Sequence, residues 1–322
     1  MMNRSHLLTE TRLLESTSLD EMSTAEIVAL MSAQDALAVR AVEGERGAVA
    51  RAVEVVVDAW ARGGRLLYFG AGTSGRLAVL DASECPPTFR SDPEQVQGII
   101  AGGESAMFRA KEGAEDDAQD GAKQVDDRHV RDVDVVMGIA AGGTTPFVHG
   151  ALRRARERGA RTIFLSCVQP VENEPEVDVV IRPLTGPEVL TGSTRLKAGT
   201  ATKLVLNQIT TTAMVRSGKC YENLMVDVKA SNAKLRDRAT RMVMTLTNLP
   251  EPAALEALDA AEGEVKVAVL MTRAHFNADT ARQRLLDTGG RLRAALRTHA
   301  TADPRPGNAC RDDEDAEIPS KE

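Results

Sequence analysis

Glycines followed by hydroxyl residues come directly after a short apolar run in the stretch 65–89, which reads RLLYFGAGTSGRLAVLDASECPPTF. The run Leu66 to Phe69 is typical of a buried strand, and the apolar residues after Gly75 are typical of a helix. Glycine lets the backbone approach a ligand, and the first N–H groups of a helix have no partner within the helix. Because Thr73 and Ser74 add hydroxyl donors at this junction, the sequence predicts an anion site.

Two kinds of nucleotide site and a purely structural turn are alternative interpretations of this loop. Residues 70–75 match the dinucleotide pattern G-x-G-x-x-G, but no acid ends the next predicted strand, Val96 to Ile100, where the ribose would require one. A nucleotide P-loop is excluded because Arg76 and Leu77 stand where a lysine and a hydroxyl residue are required. On the residues of this loop alone, a purely structural glycine turn with capping hydroxyls is as good an interpretation as a binding site.

Two further segments repeat the pattern. The predicted strand Val133 to Ala140 is followed by Gly142-Gly143-Thr144-Thr145-Pro146 and by a helix from Phe147 to about Arg158. Gly192-Ser193-Thr194 is predicted to begin a long helix. Strands that alternate with helices indicate an α/β fold with a doubly wound, mostly parallel sheet, whose ligands bind at the carboxyl ends of the strands. Three hydroxyl-rich loops would meet at that edge, which favours a phosphorylated small molecule.

Acidic residues follow the first two strands. The segment 81–87, DASECPP, is expected to leave the first helix because two prolines bar its continuation, so that Glu84 would lie on a stiff turn. Glu104 to about Val125 is predicted to be helical, with Glu112 and Glu115 three residues apart on one face. A solvated helix face is the alternative interpretation of these two acids, and on this segment alone it is the better one for Glu115.

Composition restricts the class of protein. A chain of 322 residues can bury one large core and a smaller helical unit. The net charge of −7 argues against nucleic acid as a partner. No apolar run is long enough to span a membrane, and MMNRSHLLTETR lacks the apolar segment of a secretion signal, so we expect a cytoplasmic protein with no membrane partner. The four cysteines and five histidines have no metal-ligand spacing, and no metal or cofactor is expected.

Helical segments are predicted at both ends of the chain. Ser23-Thr24-Ala25-Glu26 is a capping-box pattern before one helix, and a second helix should run from about Ala48 to Ala61. The C-terminal part is predicted to form a small bundle of helices at Ala233 to Thr247, Pro252 to Ala261, Val265 to Thr272, Ala278 to Asp287 and Gly290 to Leu296. The predicted division is an N-terminal loop and helices at 1–55, a ligand-binding domain at 56–219, the helical bundle at 220–300 and a disordered acidic tail at 301–322.

Several runs of residues resemble the sugar isomerase (SIS) family and, more narrowly, the N-acetylmuramic acid 6-phosphate etherases. These runs are GAGTSGRLAVLDASECPPTF at 70–89, EGAEDD at 112–117, GPEVLTGSTRLKAGTATKLVLN at 186–207, LLTETR at 7–12, NLMVDVKASNAKLRDRA at 223–239 and GGRLRAAL at 289–296. The resemblance implies a SIS domain and a homodimer. It also implies a lyase that cleaves the D-lactyl ether of N-acetylmuramic acid 6-phosphate by β-elimination and hydration, giving N-acetylglucosamine 6-phosphate and D-lactate in cell-wall sugar recycling.

The resemblance also implies roles for individual residues. The positions of Glu84 and Glu115 match the catalytic pair of the etherases, and we expect Glu84 to protonate the departing lactate and Glu115 to remove the C2 hydrogen. The expected contacts with the phosphorylated amino sugar are Gly72, Thr73, Ser74, Glu112, Gly142, Gly143, Thr144, Thr145, Ser193, Thr194 and Lys197.

The chain departs from the etherase pattern in the second loop. Where etherases commonly read AASGRTPY, residues 140–147 read AAGGTTPF, so that Gly142 replaces a serine and Thr144 replaces an arginine. Two other functions stay open. A sugar-phosphate-binding regulator would need the phosphate loop but not Glu84, and an aldose–ketose isomerase would remove the same C2 proton without expelling a leaving group.

Overall fold

Five short, mostly apolar segments of the described residues form a parallel sheet. The computed structural model describes residues 7–228 and 233–300. The strands are β1 (Leu66–Gly70), β2 (Val96–Ile100), β3 (Val135–Ile139), β4 (Arg161–Leu165) and β5 (Val179–Ile181), in the order β2-β1-β3-β4-β5. Every neighbouring pair is parallel. Apolar sequences of this kind are typical of strands that are covered on both faces.

Helices cover both faces of the sheet, which confirms the predicted doubly wound α/β fold. They are α1 (Thr24–Gly44), α2 (Arg46–Ala61), α3 (Gly72–Phe89), α4 (Ser105–Phe108), α5 (Ala118–Asp127), α6 (Pro146–Glu157) and α7 (Lys197–Arg216). On β1, Leu66 and Tyr68 belong to the core shared with α1, α2, α3 and α7. Leu67 and Phe69 belong to the core shared with α5 and α6, as the alternation of side chains along a strand requires.

The C-terminal part is a bundle with its own core. Its helices are α8 (Ala233–Thr247), α9 (Glu251–Ala260), α10 (Val265–Ala274), α11 (Ala278–Asp287) and α12 (Leu292–Ala300). Val243, Leu258 and Leu270 are fully buried between them. The predicted bundle is therefore confirmed, whereas the proposed domain limits stay predictions. The predicted disordered tail at 301–322 lies outside the described residues.

The expected turn at Glu84 is wrong, because α3 continues through Pro86 and Pro87 to Phe89. A proline removes the hydrogen bond that its own nitrogen would donate and crowds the preceding turn, but both prolines lie in the last turn of the helix, so the body of α3 keeps its hydrogen bonds. The helix ends where Arg90 adopts a left-handed conformation with φ of 50°. Glu84 therefore lies on a helix and is exposed.

The predicted helix from Glu104 to Val125 is also wrong, because it is divided into three pieces. The short α4 is followed by a 3₁₀ turn at Ala114–Asp116 and then by α5. The helix α4 ends where Arg109 is extended, Gly113 before the 3₁₀ turn has a φ of 74°, and the Asp117 carboxylate accepts hydrogen bonds from the backbone nitrogens at the start of α5. Glu112 and Glu115 consequently lie on a loop and not on one helix face.

Candidate functional site

A cavity of about 260 Å³ opens where the three hydroxyl-rich loops meet. The loop after β1 contributes residues 71–74, the loop after β3 contributes residues 140–142, 144 and 145, and the third loop contributes Gly192 and Thr194. The predicted convergence of the three loops is therefore confirmed. Of the expected contact residues, Gly143, Glu112, Ser193 and Lys197 do not line this cavity.

Two helix N-termini are directed at this cavity. The helix α3 begins at Gly72 after Ala71, and α6 begins at Pro146 after Thr145. Neither N-cap residue makes a side-chain cap hydrogen bond, so the positive ends of both helix dipoles lie beside the cavity. No basic side chain of the described residues lines it. An anion bound there would be held by backbone N–H groups and by the hydroxyls of the two loops.

The third loop does not begin α7 as predicted. The helix starts at Lys197, and the Glu188 carboxylate accepts hydrogen bonds from the backbone nitrogens of Lys197 and Ala198, both at 3.0 Å. Glu188 is fully buried, and burial raises its pKa. The N-terminus of α7 is thus already paired with a protein carboxylate, and only Thr194 of this loop brings a hydroxyl residue to the cavity.

Lys197 lies in the core between two helices. Its Nζ donates to Gln34 Oε1 on α1 at 2.6 Å, and only 1% of the residue is exposed. Burial lowers its pKa. The predicted contact of Lys197 with a substrate stays a prediction, and the observed contact ties α7 to α1.

The two predicted catalytic acids lie far apart in one chain. Glu115 lines the cavity beside Gly72 and Thr73. Glu84 comes twelve residues after Gly72 on the same helix, which is about 18 Å along the helix axis, and it does not line the cavity. A single chain therefore does not bring Glu84 and Glu115 together.

A half-buried carboxylate fixes the orientation of α3. Asp81 accepts hydrogen bonds from the Tyr68 hydroxyl of β1 and the Thr210 hydroxyl of α7, both at 3.1 Å. Burial raises the pKa of Asp81 despite these hydrogen bonds. With Asp81 directed inward, Leu80 and Glu84, which are four residues apart, share an exposed face of the helix.

The N-terminal segment forms a wall of the cavity that the helix and strand patterns did not predict. Leu7 and Glu10 line the cavity, and Thr9 is fully buried. The backbone nitrogen of Gly192 donates to the Thr9 carbonyl at 3.1 Å, which joins the segment to the third loop. The only sequence signal for this wall was the resemblance of LLTETR.

The substituted second loop is supported by a histidine that the sequence patterns also missed. His149 on α6 is buried, and its Nε2–H donates to the Gly143 carbonyl at 2.7 Å. Gly143 has a φ of 75°, and an added Cβ would lie 3.0 Å from Val168 Cγ2.

An added Cβ at Gly142 would meet its nearest neighbour, Thr9 Oγ1, at 3.7 Å. Position 142 therefore has room for a Cβ, and what the chain lacks there is the hydroxymethyl group of the etherase serine.

Comparison with known proteins gives strong similarities over most of the chain. The family model for the glucokinase regulatory protein N-terminal SIS domain matches residues 48–156. A protein of Synechocystis sp. named N-acetylmuramic acid 6-phosphate etherase is 53% identical over 293 residues, covering 91% of this chain and 96% of that protein. A protein of the same name from Gloeobacter violaceus is 54% identical over 294 residues, with the same coverage. A solved phosphoheptose isomerase from Neisseria gonorrhoeae is 19% identical with a TM-score of 0.45, covering 59% of this chain and 98% of that one.

Proposed function

This chain belongs to the N-acetylmuramic acid 6-phosphate etherase family, and we propose that it cleaves the D-lactyl ether of that sugar phosphate. The products would be N-acetylglucosamine 6-phosphate and D-lactate. The observation that carries the proposal is the cavity between α3 and α6, where two helix N-termini and several hydroxyls surround a space that Glu115 also lines.

The 6-phosphate is assigned to the loops after β1 and β3. A phosphate is a multivalent acceptor, and free backbone N–H groups at helix N-termini bind it together with hydroxyl donors. Thr73 and Ser74 supply hydroxyls at the start of α3, and Thr144 and Thr145 supply them at the start of α6. The hydroxyls of Thr144 and Thr145 would take the place of the serine hydroxyl that is missing at Gly142.

The chemistry requires a base, an acid and the open-chain form of the sugar. The C2 hydrogen is acidified by the C1 aldehyde, and the Glu115 carboxylate accepts it as a proton. The electron pair left at C2 forms the C2–C3 double bond while the C3–oxygen bond breaks. The departing lactate oxygen takes a proton from the Glu84 carboxyl group. Water then adds its hydroxyl to C3 and a proton to C2, which restores the saturated sugar.

A second copy of the chain is proposed to supply Glu84. The separation of about 18 Å along α3 between Gly72 and Glu84 keeps the latter from the cavity of its own chain. Leu80 is 44% exposed on the same face, and Phe108 of α4 is 91% exposed. Arg76 of α3 donates to backbone carbonyls of α4, so that these apolar side chains belong to adjoining elements. Exposed apolar residues on neighbouring elements favour a protein interface, which supports the homodimer.

The proposed substrate also bears on location and partners. Phosphorylated sugars are confined by membranes, so we infer a cytoplasmic enzyme whose partners are its substrate and a second copy of itself. None of the described helices is long and apolar enough to cross a membrane. Cys85, Cys167 and Cys220 are free thiols. The acidic net charge of −7 disfavours nucleic acid.

Lactate release tests the proposal. Purified protein is supplied with N-acetylmuramic acid 6-phosphate at millimolar concentration, and D-lactate and N-acetylglucosamine 6-phosphate are measured. We expect the two products in equal amounts. Folded protein that binds the sugar phosphate without releasing lactate would be a regulator. Conversion of a sugar phosphate between aldose and ketose without lactate would indicate an isomerase, and either result overturns the etherase assignment.

A further inference from the structure

The proposed substrate carries two anionic groups, and the cavity between α3 and α6 has donors for only one of them. N-acetylmuramic acid 6-phosphate has a phosphate on C6 and a carboxylate on the lactyl group at C3. Hydroxyls and helix N-termini accommodate the phosphate, but no basic residue of the described chain lines that cavity. The lactyl carboxylate therefore requires donors outside it.

A second cavity, of about 250 Å³, adjoins the first. Both cavities are lined by Ala71, Gly72 and Glu115, so that Glu115 lies at their junction. The second cavity is also lined by two basic residues, Arg76 and Lys111. A ligand extending from the first cavity past Glu115 would meet these cations.

Arg76 is held rigidly at the wall of the second cavity. Its Nε donates to the Met107 carbonyl at 2.9 Å and its Nη2 to the Ala106 carbonyl at 2.8 Å. In the described part of the chain these bonds leave Nη1 without a protein partner. Lys111 is exposed, and among the described residues its Nζ donates one hydrogen bond, to the Gly102 carbonyl at 3.3 Å. Both side chains thus keep donors for an anion, and the guanidinium is already oriented.

We propose that Arg76 and Lys111 bind the lactyl carboxylate and so select the ether substrate. The proposal rests on the proposed function. With phosphate in the first cavity and carboxylate in the second, the carbon atoms between the two groups pass Glu115, which is where the base must act. Glu112 and Asp116 also line the second cavity, and their negative charges repel a carboxylate. A carboxylate is therefore held there only when it contacts the two cations directly.

Two variants and two ligands test this assignment. In Lys111→Met and Arg76→Met, we expect kcat/KM for N-acetylmuramic acid 6-phosphate to fall about 10- to 100-fold, the range for a hydrogen bond to a charged group. The inhibition constant of N-acetylglucosamine 6-phosphate, which has no lactyl group, should change less than about twofold. Lys123→Met is the matched control, since Lys123 pairs with Asp127 on α5 and lines neither cavity.

A substrate whose lactyl carboxylate is replaced by a neutral carboxamide completes the test. Wild-type enzyme should discriminate against this analogue, and Lys111→Met should discriminate much less, because the charge that recognises the carboxylate is gone. A variant in which kcat/KM for N-acetylmuramic acid 6-phosphate and the affinity for N-acetylglucosamine 6-phosphate fall by the same factor would indicate a structural role and overturn the proposal. Unchanged kcat/KM in Lys111→Met and Arg76→Met would also overturn it, while lactate release by the wild type would still support the etherase function. Absence of lactate release by the wild type instead rejects the function itself.

Discussion

Two glutamates with different surroundings carry the proposed chemistry. Glu115 lies on a loop at the junction of the two cavities, and Glu84 lies on the exposed face of α3. A base at the C2 hydrogen must be close to the bound sugar, and Glu115, which lines the cavity proposed for the sugar phosphate, would meet that condition within one chain. The acid acts later, on the leaving oxygen, so a residue brought by a second chain can supply it.

Hydrogen exchange at C2 separates these two roles. In Glu115→Gln, both lactate release and exchange of the C2 hydrogen with deuterated water should fall by roughly a hundred- to ten-thousand-fold, because no enolate can form. In Glu84→Gln, lactate release should fall similarly while exchange continues, since removing the proton requires no acid at C3. Exchange is followed by NMR or mass spectrometry of the recovered sugar. Loss of exchange in Glu84→Gln alone would reverse the roles.

At the scale of elements, α6 and the loop before it form one half of the proposed phosphate site. The loop contains two glycines where the etherase pattern has only one, and His149 holds the Gly143 carbonyl from within the helix. The imidazole also makes an edge contact with Phe164 of β4, with ring centres 5.9 Å apart. The conformation of the loop is therefore coupled to the core beneath it.

The burial of His149 predicts a pH-dependent stability. Burial lowers the pKa of His149 from its ordinary value of 6.5. As the pH falls below 6.5, this imidazole therefore binds a proton in the unfolded chain more readily than in the folded protein. The free energy of unfolding should therefore decrease between about pH 7.5 and about pH 5.5 more in the wild type than in His149→Gln. Urea unfolding at the two pH values measures the difference. His275→Gln, at an exposed position, should behave like the wild type, and parallel curves for all three proteins would contradict the prediction.

At the scale of the whole molecule, the proposed active site requires two chains. Each site would combine Glu115 of one chain with Glu84 of its partner, and a two-fold dimer would contain two such sites. The apolar residues Leu80 and Phe108, exposed in the single chain, would be covered by the same association.

Mixing two inactive variants tests this arrangement. When Glu84→Gln and Glu115→Gln proteins are unfolded together and refolded, half of the dimers should contain one chain of each kind. One of their two sites would have both glutamates, so about a quarter of the wild-type lactate release should return. Each variant refolded alone is the control. If the mixture stays as inactive as its components, both glutamates act within one chain or the enzyme is not a dimer.

Local sequence determined much of the secondary structure. The strand at Val96–Ile100 and the helices at Ala233–Thr247 and Ala278–Asp287 have the predicted bounds. The predicted capping box also forms, with the Ser23 backbone nitrogen donating to Glu26 Oε2 at 2.8 Å. These features depend on apolar periodicity and on contacts within a few residues, which the sequence shows directly. Because parallel strands bring their carboxyl ends to one edge, the meeting of the three loops could be predicted as well.

Tertiary structure decided how the site is assembled. Glu188 pairs with the N-terminus of α7, the ammonium of Lys197 donates to Gln34, and Glu10 comes from the N-terminal segment, whose place beside the cavity the helix and strand patterns did not predict. Glu84 lies on an exposed face of a helix where prolines predicted a turn, and it does not line the cavity of its own chain. Each of these outcomes depends on partners far away in sequence and on which face of an element is buried. The sequence by itself determined the types of residue available for chemistry, and only packing decided which of them share a cavity.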